Sequence, residues 1–293
     1  MAVTVGLVGG GRRATEVHAP VLVESPDIDF VGVWTRRPAS AEELAQTYGI
    51  RAFPKFKDLL ASCEAVSFAI PPVAQTELGV EAAKVGKHVF LEVPIAWDIA
   101  GAEALVEAVV ASKVISQVAF TWRYTETVRR FLTELAPHLQ LTGARGRAIR
   151  PQRDPRKEAG RWREQRGLLL ELGPHVTEFL DAALGEIVEV DAFSDQSGSV
   201  GLKLEHRLVG SSESFLNYST AIEQDHVEFE FFGEEASTFV DLSRGADWTD
   251  YAKMFAEFAQ AVNTREPHEL DVRRGLHVQR VVEAADTALL QGN

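Results

Sequence analysis

An apolar run, Val3–Val8, leads directly into three consecutive glycines, Gly9-Gly10-Gly11, and then into a stretch with helical spacing, Arg12–Glu24. Few structures accommodate a strand, a glycine turn and a helix packed this closely. Gly9, Gly11 and Ala14 fit the pattern G-x-G-x-x-G/A. Its first glycine permits a tight turn, its second lets a pyrophosphate approach the backbone, and its third position keeps helix and strand close. Gly10, Arg12 and Arg13 fill the intervening positions, and the first amides of the helix point toward phosphate. The turn is therefore assigned to a dinucleotide cofactor.

The residues that follow keep alternating. Asp29–Trp34 reads as a strand, Ala39–Tyr48 as a helix, Ala65–Ile70 as a strand and Val73–Val85 as a helix. His88–Leu91 is extended, Ile99–Ser112 helical and Val114–Phe120 extended. Regular βα alternation predicts a doubly wound parallel sheet, an N-terminal Rossmann domain over residues 1–121. After Trp122 the pattern changes. Helices are expected at Thr125–His138 and Leu168–Leu184, and period-two alternation at Glu186–Phe193, Leu202–Leu208, Ser212–Ala221 and His226–Phe232. Two further helices, Thr249–Asn263 and Val272–Leu290, close the chain. Residues 122–293 are thus expected to form an α+β domain with an open, mostly antiparallel sheet, serving substrate binding and oligomerisation.

The end of the second strand bears on which dinucleotide binds. It reads Trp34-Thr35-Arg36-Arg37, without the acid that holds the adenosine ribose hydroxyls in NAD sites. A hydroxyl and two guanidiniums suit a 2′-phosphate, so NADP is expected in preference to NAD, with Thr35, Arg36 and Arg37 as the clamp.

Charge and composition narrow the partners. A net charge of −13 argues against nucleic acid and anionic membranes. No apolar run approaches the length of a bilayer span, and Met1–Val8 lacks the features of a leader, so a cytoplasmic location is expected. Cys63 is the single cysteine and the histidines are scattered, so no metal is expected. Residues 145–166 carry nine basic against three acidic side chains, a local excess of +6 that would suit a small anionic ligand or an ion-paired interface.

Further motifs occur in a recognisable order: Ala69-Ile70-Pro71-Pro72, Ala83-Lys84-Val85-Gly86-Lys87-His88-Val89, Glu92-Val93-Pro94 and Gly173-Pro174-His175. With the glycine turn they resemble the family of glucose–fructose oxidoreductase, inositol dehydrogenase and rhizopine-catabolism proteins (Gfo/Idh/MocA). The resemblance implies hydride transfer between a nicotinamide and a sugar, polyol or related carbonyl compound. It implies that Ile70, Pro71 and Pro72 lie along the adenine-side ribose and pyrophosphate, and that Glu92 lies near the nicotinamide ribose. Family members carry a lysine between the glutamate and the proline of the E-K-P signature; Val93 stands there and can neither donate a proton nor carry charge. Glu171 replaces a usual aspartate four residues before His175, and Gln75 replaces a frequent histidine or asparagine; the resemblance places Gln75 and Val93 among the cofactor-binding residues.

Hydride transfer still needs a proton donor or acceptor. His175 is the leading candidate, with Glu171 one helical turn away to orient its ring and Glu178 as the alternative partner. Tyr124 is a substitute donor. Trp162 and Arg163, in the basic stretch, are assigned to the nicotinamide or to an anionic substrate. These residues suggest an NADPH-dependent reductase of a C=O or C=N group on a small molecule, with the basic stretch holding any anionic group. Two alternatives stand beside it: a sugar or polyol dehydrogenase using His175 and Glu171 without the lysine, and a catalytically silent NADP-binding sensor. A homo-oligomer, dimer or tetramer, is expected through the C-terminal sheet.

Overall fold

A computed structural model of the chain describes residues 1–152 and 161–291, without the side chains of 161–166. The chain divides into two compact units, Met1–Ala119 with Trp248–His277, and Phe120–Asp247 with Val278–Asn293.

The first unit holds six strands: β1 (Val3–Val8), β2 (Ile28–Trp34), β3 (Arg51–Ala52), β4 (Ala65–Phe68), β5 (His88–Leu91) and β6 (Ser116–Val118). They form one parallel sheet in the order β3-β2-β1-β4-β5-β6. This is the doubly wound order, in which the chain reverses direction across the sheet between β1 and β4. Residues of β4 and β5 are buried throughout, as expected for strands covered on both faces. The crossover helices begin and end where the sequence punctuates them. Prolines open Pro38–Tyr48 and Pro72–Lys84, Gly49 closes the former in a left-handed conformation (φ 66°), and the Asp98 carboxylate caps Ile99–Ser112 by accepting from the Gly101 amide at 2.8 Å.

The first unit includes Trp248–His277, which lies far from Met1–Ala119 in sequence. Aromatic packing explains this. Phe255 of the helix Trp248–Thr264 stacks on Phe90 of β5 at 4.3 Å, and Phe258 meets the same ring edge-on at 5.5 Å.

The second unit holds β7 (Leu141–Pro151), β8 (Ile187–Ser194), β9 (Val200–His206), β10 (Ser211–Ser219), β11 (His226–Gly233) and β12 (Ser237–Asp241). Their order is β12-β11-β7-β10-β9-β8. Only β7 and β10 run parallel; the other pairs are antiparallel. The helix Arg161–Leu184 covers one face and breaks at Gly167 (φ 61°), so the segment after the break matches the expected Leu168–Leu184. Beneath it Phe229 and Phe231 of β11 pack with Phe131 and Phe179 in a buried aromatic cluster. Phe193, Phe215 and Phe239 stay exposed on their strands. Among the described residues no helix is long and apolar enough to cross a membrane.

Candidate active site

Each glycine of the turn after β1 has its own physical reason. Gly9 has φ 137°, and a side chain there would run into the carbonyl oxygen of Ala69. A Cβ on Gly10 would press on the Cβ of Ser40 at 2.9 Å. Gly11 faces open space, with nothing within 4 Å of a Cβ built on it. The turn is therefore closed toward the protein and open at Gly11, the arrangement a pyrophosphate needs to reach backbone amides. The helix that follows starts at Arg12 and contains a π-turn, Ala14–His18, with Ala14 buried; the Thr15 amide donates to the Gly11 carbonyl at 3.0 Å. Amides ahead of the first such bond in a helix have no intrahelical acceptor and suit an anion. These residues fit a dinucleotide.

At the end of β2 the Thr35 hydroxyl donates to the carbonyl of Arg37. Arg36 and Arg37 are exposed, and neither has an ion-pair partner among the described residues. Arg12 differs: it pairs with Glu16 at 2.8 Å on the surface. Ile70 and Pro71 follow β4 half-buried and exposed, and Pro72 starts the next helix.

After β5 lies a polar cluster that the residue spacing does not reveal. Glu92 Oε1 accepts from Arg13 Nε at 2.5 Å and lies 2.7 Å from His18 Nε2. His18 Nδ1 is 2.8 Å from the Ser67 hydroxyl, and Arg13 Nη1 donates to Tyr251 Oη at 3.1 Å, its guanidinium 5.0 Å over that ring. His18 and Ser67 are wholly buried. Burial pushes the Glu92 carboxyl up, but the Arg13 charge and the His18 hydrogen bond outweigh it and hold it at about 2. His18 moves down instead, because burial dominates the pull of Glu92. At neutral pH the cluster is a carboxylate, a guanidinium and a neutral imidazole that donates to Glu92 and accepts from Ser67.

Gln75, assigned above to the cofactor, is buried and uses its amide on the chain itself. Its Oε1 accepts from the Glu92 amide at 2.9 Å, and its Nε2 donates to the carbonyls of Glu92, Pro94 and Ile95 at 2.8, 3.2 and 3.2 Å. Gln75 thereby holds the loop that carries Glu92 and Val93, which contains the cis Val93–Pro94 bond. Residue spacing does not reveal His18 or Tyr251, because His18 finds its partners on β4 and just after β5, and Tyr251, on the returning helix, finds its own in Arg13 of the first helix. The one local hint is that a histidine on the core face of the first helix requires buried partners.

The second unit gathers a different set. The His175 ring lies against Trp122 with centroids 5.3 Å apart. Glu171 Oε1 accepts from Arg150 Nη1 at 3.0 Å, and its Oε2 accepts from the Tyr218 hydroxyl. Arg150 also donates through Nε to Asp225 at 3.1 Å. Both oxygens of Glu171 thus engage groups other than the expected His175, and Glu178 accepts from Arg123 at 2.7 Å. Tyr124 is buried, with the Arg129 guanidinium 5.1 Å over its ring. Trp162 and Arg163 lie outside the described residues. Arg147 and Arg150 of the basic stretch are paired with Glu228, and with Glu171 and Asp225. Among the described residues no group of three or more His, Cys, Asp or Glu is placed to hold a metal.

Comparison with known proteins agrees with this geometry. Residues 3–120 match the model of an oxidoreductase family with an NAD-binding Rossmann fold, Gfo/Idh/MocA. The chain is 27% identical over 124 residues to glucose-6-phosphate 3-dehydrogenase of Bacillus subtilis (strain 168), a match covering 42% of this chain and 35% of that protein. It is 32% identical over 126 residues to inositol 2-dehydrogenase of Rhizobium meliloti (strain 1021), covering 42% and 38%. The matched part is thus little more than a third of either relative's length. The fold extends further: GenD2 from gentamicin A biosynthesis, solved in complex with NAD, superposes with a TM-score of 0.88 over 100% of this chain and 95% of that one, at 20% identity. Over residues 3–120, which hold the glycine turn and the Glu92 loop, the chain is similar to the Gfo/Idh/MocA oxidoreductase family.

Proposed function

We propose that the chain is an NADP(H)-dependent oxidoreductase that moves a hydride to or from a C=O or C=N group of a small molecule. The observation that carries this reading is the pair of exposed guanidiniums, Arg36 and Arg37, without an ion-pair partner among the described residues, at the end of the strand next to an open glycine turn. An extra phosphate on the adenosine ribose would meet two cations there and no carboxylate. When bound, the coenzyme supplies or accepts the hydride.

The chain supplies the proton. Glu92 stays ionised at neutral pH and Arg13 stays charged, so neither is a proton donor in the working range. Val93 cannot take the part of the missing lysine. His175 is the acid–base group of this reading, its ring packed against Trp122. Glu171 holds Arg150 and Tyr218 in place, a positioning role.

One observation supports the sugar or polyol reading. Arg150 meets the carboxylates of Glu171 and Asp225, and Glu171 also accepts from the Tyr218 hydroxyl, a mix of donors and acceptors that suits hydroxyl groups. The exposed Phe193, Phe215 and Phe239 support assembly of a homo-oligomer through the second sheet.

Calorimetric titration with NADPH and NADH tests the coenzyme assignment. Arg36→Asp should weaken NADPH far more than NADH; equal losses would overturn the phosphate clamp. Turnover is then read on ketone, imine and polyol panels. His175→Ala should cost at least ~100-fold in kcat. Tight coenzyme binding with no turnover on any panel would turn the reading to a sensor.

A further inference from the structure

The Arg13–Glu92 pair has no counterpart in the assignments made above, and its place in the sheet gives it a consequence. A dinucleotide on this sheet order places its pyrophosphate at the turn after β1 and its adenosine ribose at the end of β2. The other half must then run to the opposite side of β1, over the carboxyl ends of β4 and β5. Glu92 directly follows β5, and Arg13 sits in the first turn of the helix that the glycine turn opens.

The nicotinamide ring carries a positive charge when oxidised and none when reduced. Any fixed charge near it therefore discriminates between the two forms. Val93 contributes none. His18 is buried away from solvent and neutral, so it contributes a hydrogen bond rather than a charge. Among the described residues this cluster carries one carboxylate, 17% exposed, and one guanidinium, 33% exposed, in contact at 2.5 Å.

We propose that Arg13 is a specificity-determining residue that sets the balance between oxidised and reduced coenzyme, by cancelling the charge of Glu92 in the nicotinamide half of the site. With Arg13 in place the pair is neutral as seen by the ring. Without it, the Glu92 carboxylate faces the ring uncompensated and holds the oxidised form more tightly. Arg13 acts through Glu92, and Tyr251 holds its guanidinium over that carboxylate. The inference rests on the proposed coenzyme role and goes beyond it, since that role is silent on redox form.

The test uses the intact chain and measures Kd for NADP+ and for NADPH by calorimetry at mildly alkaline pH, where Glu92 stays ionised. Arg13→Gln removes the charge yet keeps an N–H donor for Glu92. Its ratio Kd(NADP+)/Kd(NADPH) should fall about tenfold from that of the parent. Arg13→Lys should restore the ratio to within about threefold, and Tyr251→Phe, which removes no charge, should leave it there as well. A structural role alone would weaken both forms equally, and an unchanged ratio in Arg13→Gln overturns the proposal. If Arg13→Gln does not fold, Glu92→Gln tests the same electrostatics in the opposite direction: its ratio should rise, and a fall or no change sinks the idea. A parent chain that binds neither form defeats the coenzyme reading itself, a result distinguishable from an unchanged ratio.

Discussion

His18 Nε2 lies 2.7 Å from Glu92 Oε1, although 74 residues separate the two in sequence. The contact brings the first helix to the end of β5, and the Phe90 and Phe255 rings meet the imidazole edge-on at 5.8 and 5.4 Å. A buried polar group in such an apolar cage is tolerable only when both its nitrogens are satisfied. Here Ser67 and Glu92 do so, and the position of the Glu92 carboxylate depends on that satisfaction.

His18→Leu should therefore cost roughly 3 kcal/mol of stability, since it leaves the Ser67 hydroxyl buried without its partner and strips a hydrogen bond from Glu92. Urea unfolding of a double-mutant cycle checks the cause. In His18→Leu with Ser67→Ala, the orphaned hydroxyl is gone, so the combined loss should fall short of the sum by about 1 kcal/mol. Strict additivity would mean that Ser67 and His18 do not communicate.

Stability should also fall in mild acid through His88. The Ile115 amide donates to its Nδ1 at 2.7 Å, and Arg265 Nη1 lies 2.8 Å from its Nε2. Burial first, and the Arg265 charge second, push the imidazole from 6.5 down to about 4. The unfolded chain thus binds a proton that the folded chain refuses between those values. The contribution is complete above about pH 6.5 and is lost as pH falls toward 4, amounting to about 2 kcal/mol between pH 7 and 5. His88→Asn retains an acceptor but does not titrate. Its unfolding free energy should vary less with pH in that window; an identical slope would move the acid sensitivity to other groups.

Much of this architecture was legible because period and punctuation agree. β1, β2 and β5, the glycine turn and the crossover helices all announce themselves, and so does Arg36-Arg37 at a strand end. β7 did not. After Leu141 its buried positions are Gly143, Ala144 and Ala148, and the exposed ones Thr142, Arg145 and Arg147, so hydropathy shows a basic loop where a strand lies between β10 and β11. Small residues are required there because the Phe229 ring lies directly over Gly146. The candidate site split the same way. The glycine turn and the arginines at the end of β2 are local features of the sequence, whereas Tyr251, Arg150, Tyr218 and Asp225 owe their place to pairings across the fold.

Gly146 supplies a direct check on that reading. A Cβ at this position would overlap the Phe229 ring, and Phe229 packs edge-on against Phe179 in the core of the second unit. Gly146→Val should destabilise the protein by about 3 kcal/mol through overpacking. Pairing it with Phe229→Leu, which vacates the space, should recover at least ~1 kcal/mol. Near-UV circular dichroism and chemical unfolding would report both effects, and no recovery in the pair would show that the clash lies elsewhere.

The two glycines of the turn separate folding from coenzyme binding. Gly9 is held at φ 137° against the Ala69 carbonyl, so Gly9→Ala adds both backbone strain and a clash with groups that cannot retreat. A loss of about 3 kcal/mol in stability is expected, with coenzyme affinity falling as a consequence of the distorted turn. Gly11 is different: its missing side chain faces open space and its φ is not positive. Gly11→Val should leave the unfolding midpoint within ~1 kcal/mol of the parent, because it touches nothing in the protein. It should nevertheless weaken NADPH by at least ~100-fold, because the new methyls occupy the path by which a pyrophosphate reaches the amides. Thermal unfolding and calorimetric titration on the same two variants decide the matter. A Gly11→Val chain that folds normally and binds NADPH as tightly as the parent would place the dinucleotide somewhere other than this turn.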